Sequence, residues 1–181
     1  PNLDPRELQR SLLAYGVSSI DEGLARGKGV IVVTGHIGNW DLAGAVLASM
    51  GYRVNAIADT LQPERWNDEV QAIRRRLGVN AIPLESGPKD MLRSLRRNEI
   101  LGILIDRPLH DEGVKCHFFG LPARVPGGAA TLALRTGASI VTAVVVRERD
   151  HYLAHVGPLI TPEPTGNREG DVEVITQQIM T

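Results

Sequence analysis

His36 and Asp41 stand five positions apart in the run Gly35-His36-Ile37-Gly38-Asn39-Trp40-Asp41. An imidazole steered by a carboxylate is the simplest pair able to take a proton from a weak nucleophile. With five histidines and 21 acidic residues in the chain, the spacing alone says little; the setting says more. Gly29-Val30-Ile31-Val32-Val33-Thr34 is a continuous β-branched run bounded by glycine, the pattern of a buried strand. Asn39 to Met50 reads as a helix that stops on Gly51. His36 is therefore expected at a strand-to-helix turn, with Asp41 in the helix's first turn. From there its carboxylate can reach back to one imidazole nitrogen and leave the other as an acceptor. The positive end of the helix disfavours a cationic ring, which suits a base. Gly35 and Gly38 permit a tight turn whose N–H groups face an anion or oxyanion. The bland alternative is that Asp41 only complements the helix dipole and His36 is a satisfied turn residue.

The surrounding elements repeat strand–helix–strand. A helix from Asp4 to about Tyr15 opens on a capping box, and a second runs from Ser19 to Arg26. After the first strand and Asn39–Met50 come a strand at Arg53–Ala58, a helix at Pro63–Leu77 and a strand at Asn80–Leu84. A helix at Pro88–Arg97 and a strand at Ile100–Ile105 follow. Asp106 to Val125 reads as a long irregular segment. Pro126–Thr136 is a small-residue helix, Ser139–Arg147 and Tyr152–Val156 form a hairpin, and Asp171 begins the final helix. This spacing implies βαβ crossovers: an α/β fold whose mostly parallel central sheet carries helices on both faces, with an antiparallel hairpin near the C-terminal end.

In such sheets ligands bind beyond the carboxyl ends of the strands. Those ends deliver His36, Gly38, Asn39 and Asp41, then Asp59-Thr60, then Glu85-Ser86-Gly87, then Asp106-Arg107. A carboxylate beside a guanidinium stays ionised, so Asp106-Arg107 could orient His36 and bind a phosphate or carboxylate; it could equally be a structural ion pair. Lys89, Arg93, Arg96 and Arg97 share one helix face, suited to anionic headgroups or simply solvated. Cys116, His117 and His110 lack a paired ligand set, so no metal is expected. Phe118 and Phe119, both phenylalanines of the chain, share a loop that could contact an acyl chain or membrane, or anchor on the core.

The 181 residues suit one domain, and a net charge of −1 argues against a global grip on nucleic acid. A single cysteine excludes an internal disulfide and favours a reducing compartment. No apolar run approaches the ~20 residues of a membrane span. The chain starts on Pro1 and ends inside a helical pattern, as a piece of a longer protein would. No G-x-S-x-G elbow, P-loop or full G-x-G-x-x-G is present. Gly35-x-x-Gly38 leaves a non-catalytic phosphate- or nucleotide-binding module open, and the same pair of residues would serve an acyl-thioester hydrolase.

Gly35-His36-Ile37-Gly38-Asn39-Trp40-Asp41-Leu42, Asp106-Arg107 and Phe118-Phe119-Gly120-Leu121-Pro122-Ala123 together resemble the bacterial lipid A biosynthesis acyltransferases and the related phosphatidylinositol mannoside acyltransferases, over about residues 20–180. The resemblance implies transfer of a fatty acyl group from coenzyme A or acyl carrier protein to a glycolipid hydroxyl, without a cofactor. It implies a peripheral enzyme on an anionic membrane surface, the cytoplasmic face of the bacterial inner membrane. His36 takes the role of general base, Asp41 that of its motif partner, and Asp106 that of an acid which polarises the histidine in the mannoside branch. Asp59 and Arg74 match further site-lining positions, and Gly38, Asn39 and Arg107 join them as substrate-binding candidates. Asp41 stands where many lipid A enzymes carry Glu, and Pro108 where an acid is common. The segment Asp59-Thr60-Leu61-Gln62-Pro63-Glu64 lies nearer the mannoside branch.

Overall fold

A computed structural model describes residues 12–107 and 113–181. Its order is β1 (Leu12–Tyr15), α1 (Ser18–Ala25), β2 (Val30–Thr34), α2 (Trp40–Ser49), β3 (Val54–Ala58), α3 (Glu64–Arg76), β4 (Val79–Pro83) and α4 (Pro88–Arg96). Then follow β5 (Ile100–Leu104), β6 (Val114–Phe118), β7 (Leu121–Val125), α5 (Gly128–Thr136), β8 (Ser139–Glu148), β9 (His151–Val156) and α6 (Arg168–Ile179). Seven strands form one sheet in the order β1-β9-β8-β2-β5-β3-β4, and β6 and β7 pair separately. The pairs β2–β8, β2–β5, β5–β3 and β3–β4 are parallel, while β8–β9 is antiparallel. The α/β class expected from the alternation is the fold observed.

The central strands are mostly apolar on both sides because both faces are covered. Ile31, Val33, Leu101, Ile103 and Ile140 point to one face and pack with Met91 and Leu95 of α4, Ala129, Ala130 and Ala133 of α5, and Ile175 and Ile179 of α6. Val30, Val32, Val54, Val79, Ile100 and Val141 point to the other, against Ile20 of α1 and Leu47 and Ala48 of α2. The small side chains of α5 let it approach the sheet closely. It ends on Gly137, whose left-handed φ of 74° turns the chain and whose N–H reaches Ala133 O.

Two elements differ from the sequence reading. Leu12–Tyr15, expected at the end of the first helix, is an edge strand parallel to β9; residues 4–11 lie outside the described residues. Leu12 is buried with Ala45, Val46 and Val145, and tertiary pairing of this kind overrides local helix signals. The stretch read as irregular between Asp106 and Val125 contains the β6–β7 hairpin, registered from Val114↔Val125 to Phe118↔Leu121. Pro122 and the absence of an Asn-Gly turn hid it.

Candidate functional site

The registry of β2 against β5 builds the centre of the site. Val30 faces Ile100 and each following residue keeps the same offset through Thr34↔Leu104. Ile105 N–H then donates to Thr34 O at 3.1 Å, extending the pairing past the last rung. Two residues further on, the same offset sets Asp106 opposite His36. Asp106 Oδ2 accepts the His36 backbone N–H at 2.7 Å, and Oδ1 lies 2.7 Å from His36 Nδ1. Gly35 leaves the space: a Cβ there would come within 3.3 Å of the Asp106 carboxyl. The ring of Trp40 meets that of His36 edge-on, with centroids 5.0 Å apart.

Burial works to raise the Asp106 carboxyl, but hydrogen bonds from the His36 amide and imidazole outweigh it and hold the group below its ordinary range. An ionised carboxylate only accepts hydrogen bonds, so Nδ1 is the donor, and in the neutral ring the other nitrogen, Nε2, presents its lone pair. No described residue bonds to Nε2, and 29% of the His36 side chain is exposed. The arrangement is a hydrogen-bond acceptor with fixed direction and tautomer, open to a ligand.

Asp41 does not reach the imidazole. Its carboxylate accepts a two-pronged grip from Arg74 of α3, Nε to Oδ1 at 2.8 Å and Nη2 to Oδ2 at 3.3 Å. The physical reason is competition: Asp106 already occupies Nδ1, and a planar guanidinium matches a carboxylate in two bonds where an imidazole offers one. The Arg74 side chain is only 17% exposed. Asn39 is the N-cap of α2, its Oδ1 accepting Leu42 N–H at 3.0 Å, so that oxygen is committed to the helix. Gly38 has φ 68° and bridges to Val145 of β8, where a Cβ would overlap the Val145 carbonyl oxygen. Asn39 N–H donates to that same oxygen at 3.0 Å. Of the turn's amides, those of Gly35, Ile37 and Gly38 make no hydrogen bond to a described residue, while those of His36 and Asn39 are committed to Asp106 and Val145.

The full chain, residues 1–181, matches the family model described as bacterial lipid A biosynthesis acyltransferase. The chain belongs to this family. Among curated relatives, a phosphatidylinositol mannoside acyltransferase of Mycobacterium tuberculosis (strain ATCC 25618 / H37Rv) is 32% identical over 185 aligned residues, covering 99% of this chain and 57% of the relative. A phosphatidylinositol mannoside acyltransferase of Mycolicibacterium smegmatis is 30% identical over 183, covering 99% and 59%. The chain thus spans less than two thirds of the length of these relatives. Both branches named by the resemblance are the ones found.

The remaining residues of this lipid A acyltransferase family member scatter. Asp59 lines a cleft of about 180 Å³ with Thr60, Asn67, Gln71, Arg75 and Asn80. Gln71 Oε1 is buried there without a partner, a polar site that the sequence reading missed because nothing in the α3 pattern marks Gln71 as inward-facing. Arg107 is exposed and makes no ion pair with Asp106. The expected buried pair is absent because successive residues at a strand end point apart and Asp106 turns to His36. Cys116 is buried on β6, its thiol pushed up by burial and its Sγ near Ala123 O, while His117 beside it is exposed; His110 lies outside the described residues. Lys89, Arg93, Arg96 and Arg97 are all exposed on or beside α4, with Arg93 paired to Asp90 at 2.6 Å. Among the described residues no helix is long and apolar enough to cross a membrane.

Proposed function

We propose that the protein transfers a fatty acyl group from an acyl thioester, acyl-CoA or acyl carrier protein, to a hydroxyl of a membrane glycolipid, with His36 as general base. An alcohol is a weak nucleophile at neutral pH. Nε2 of neutral His36 takes its proton as the oxygen attacks the thioester carbonyl. The oxyanion of the tetrahedral intermediate finds the Ile37 and Gly38 amides beside it. As the intermediate collapses, the carbon–sulfur bond breaks and the imidazolium returns its proton to the departing thiolate. Asp106 keeps Nδ1 protonated throughout and stabilises the transient imidazolium. A thiolate leaves readily, so no acyl-enzyme is required, and Cys116, buried with a raised thiol, takes no part.

The observation that carries this reading is the single open nitrogen of His36, aimed by a carboxylate that grips both its ring and its main chain. Asp41 and Arg74 act as one ion-paired unit at the rim, and Asn39, Asp59 and Arg107, which follow the carboxyl ends of β2, β3 and β5, are the candidates for meeting a polar headgroup. The relatives are named for a phosphatidylinositol mannoside acceptor, and the acceptor here is a glycolipid of that kind or a lipid A precursor. Such acceptors place the enzyme peripherally on the cytoplasmic face of the inner membrane.

The test is mass spectrometry of lipids after incubation with an isotope-labelled acyl thioester and each acceptor. Label in the acceptor that disappears in His36→Ala, with the variant still folded, is the expected result. Thioester cleavage that ignores the acceptor would make the protein a hydrolase. No cleavage at all, with ligand affinity lost on changing Gly38 but not His36, would make the turn a phosphate- or nucleotide-binding module.

A further inference from the structure

The β6–β7 hairpin displays apolar side chains where solvent should exclude them. Phe119 at its tip is 89% exposed, and Leu121 and Phe118 beside it are 70% and 41% exposed. The tip turn has positive φ at both central residues, 51° at Phe119 and 76° at Gly120. That geometry favours Asn-Gly, and a bulky aromatic in its first position is disfavoured. Phe119 is thus unfavourable twice over, in backbone conformation and in hydration, and its one ring contact is with Phe118, itself exposed. It does not anchor the segment on the core: Cys116 and Val125, both 5% exposed, do that at the hairpin's base.

The mount is rigid. His117 N–H donates to Gln177 Oε1 of α6 at 2.8 Å, and Gln177 Nε2 donates back to His117 O at 3.1 Å. Behind the tip, Lys115 and Arg124 face each other directly across the hairpin. Like charges in that position repel, and neither side chain forms an ion pair with a described residue, although Glu169 and Glu173 of α6 line the same hollow of about 610 Å³ with Arg168.

We propose that this hairpin is a wedge for an anionic bilayer surface, Phe118, Phe119 and Leu121 entering the headgroup–acyl boundary while Lys115 and Arg124 meet the lipid phosphates. Phe118 lies three steps along the strand from Lys115, about 10 Å at ~3.3 Å per step, which matches the ~5–10 Å to which interfacial apolar groups sink below the charged layer. A protrusion two strands wide, ending in a ridge of aromatic rings 4.5 Å apart, has no concavity for a folded partner to fill; it suits a medium that deforms around it. The inference goes beyond the transfer reaction and does not depend on it.

The experiment is co-sedimentation of the intact protein with phosphatidylcholine vesicles, with and without phosphatidylglycerol. Phe119→Asn supplies the residue the turn prefers, so its thermal midpoint holds or rises while vesicle affinity falls about tenfold, the loss expected when one phenyl ring is no longer buried. Phe119→Leu retains most of the binding. Lys115→Gln with Arg124→Gln removes the preference for phosphatidylglycerol and its salt sensitivity. Transfer to a water-soluble, short-chain acceptor is unchanged in Phe119→Asn, which separates this proposal from the role of His36. Wild-type sedimentation by Phe119→Asn would overturn the wedge, as would wild-type protein that ignores vesicles but captures an acidic carrier protein through Phe119.

Discussion

Asp106 holds His36 by two handles, its Oδ2 on the backbone N–H and its Oδ1 on the ring, each at 2.7 Å. One carboxylate therefore fixes the position of the Cα and the rotation of the imidazole together. Asp106→Asn keeps the size but removes the charge and disturbs the tautomer, so transfer should fall about 100-fold or more. His36→Ala should fall at least as far, and the double variant no further, because groups acting as one unit are not additive. Steady-state rates with a labelled thioester decide; additive losses would separate the two residues.

The same contacts predict an acid dependence. The Asp106 carboxyl is held below its ordinary range in the folded chain. Its contribution to stability is therefore complete above the unfolded value of roughly 4 and disappears as pH falls through the lowered folded value. Denaturation midpoints of wild type and Asp106→Asn should differ near neutrality and converge in acid. A constant difference across that range would contradict the assignment.

Asp41 and Arg74 should behave as partners of each other. Half of the Asp41 side chain is exposed (51%), so loss of the pair should cost less than about 1 kcal/mol of stability. The effect on transfer should be larger than that. Arg74→Lys keeps the charge but not the paired geometry, and should fall with Asp41→Ala. The combined variant should be no worse than either alone. Rates and thermal midpoints measured on the same samples separate the site effect from a folding effect.

Gly38→Ala should damage both fold and reaction. A side chain there must accept φ 68° and displace the Val145 carbonyl oxygen. Strain of this kind costs about 1–3 kcal/mol, read as a lower urea midpoint with unchanged slope. Because His36 lies two residues upstream, transfer should drop even where the variant is fully folded.

The layered sheet was legible because its strands are long aliphatic runs punctuated by glycine, and burial on both faces leaves that pattern in any parallel sheet. Leu12–Tyr15 was not, since an edge strand takes its structure from the neighbour it meets and not from its own four residues. The β6–β7 hairpin hid for a related reason: its turn uses Phe119-Gly120, a dipeptide that carries no turn signal. In the site, the strand-to-helix turn pointed to His36 from local sequence alone. Its carboxylate partner was harder, because spacing favours Asp41, near in sequence, and only strand order brings Asp106 across. The strand-end rule offered Asp106 as an orienter of His36 with a structural ion pair as its alternative, and the resemblance added its role as the acid that polarises the histidine. Arg74 as the companion of Asp41 is a matter of tertiary approach between α2 and α3, which no spacing along the chain encodes.

Seventy positions separate His36 from Asp106, yet their meeting is set by five rungs between β2 and β5. The crossovers between them, with α2, α3 and α4, add no rung to that pairing, so a longer loop at the far end of one should leave His36 and Asp106 aligned. A single-residue deletion inside β5 does the opposite, turning Asp106 to the far face of the sheet and disarming the centre without touching either residue. On the proposed reaction, acceptor preference should be open to change along the rim while the alignment of His36 with Asp106 stays set by the ladder.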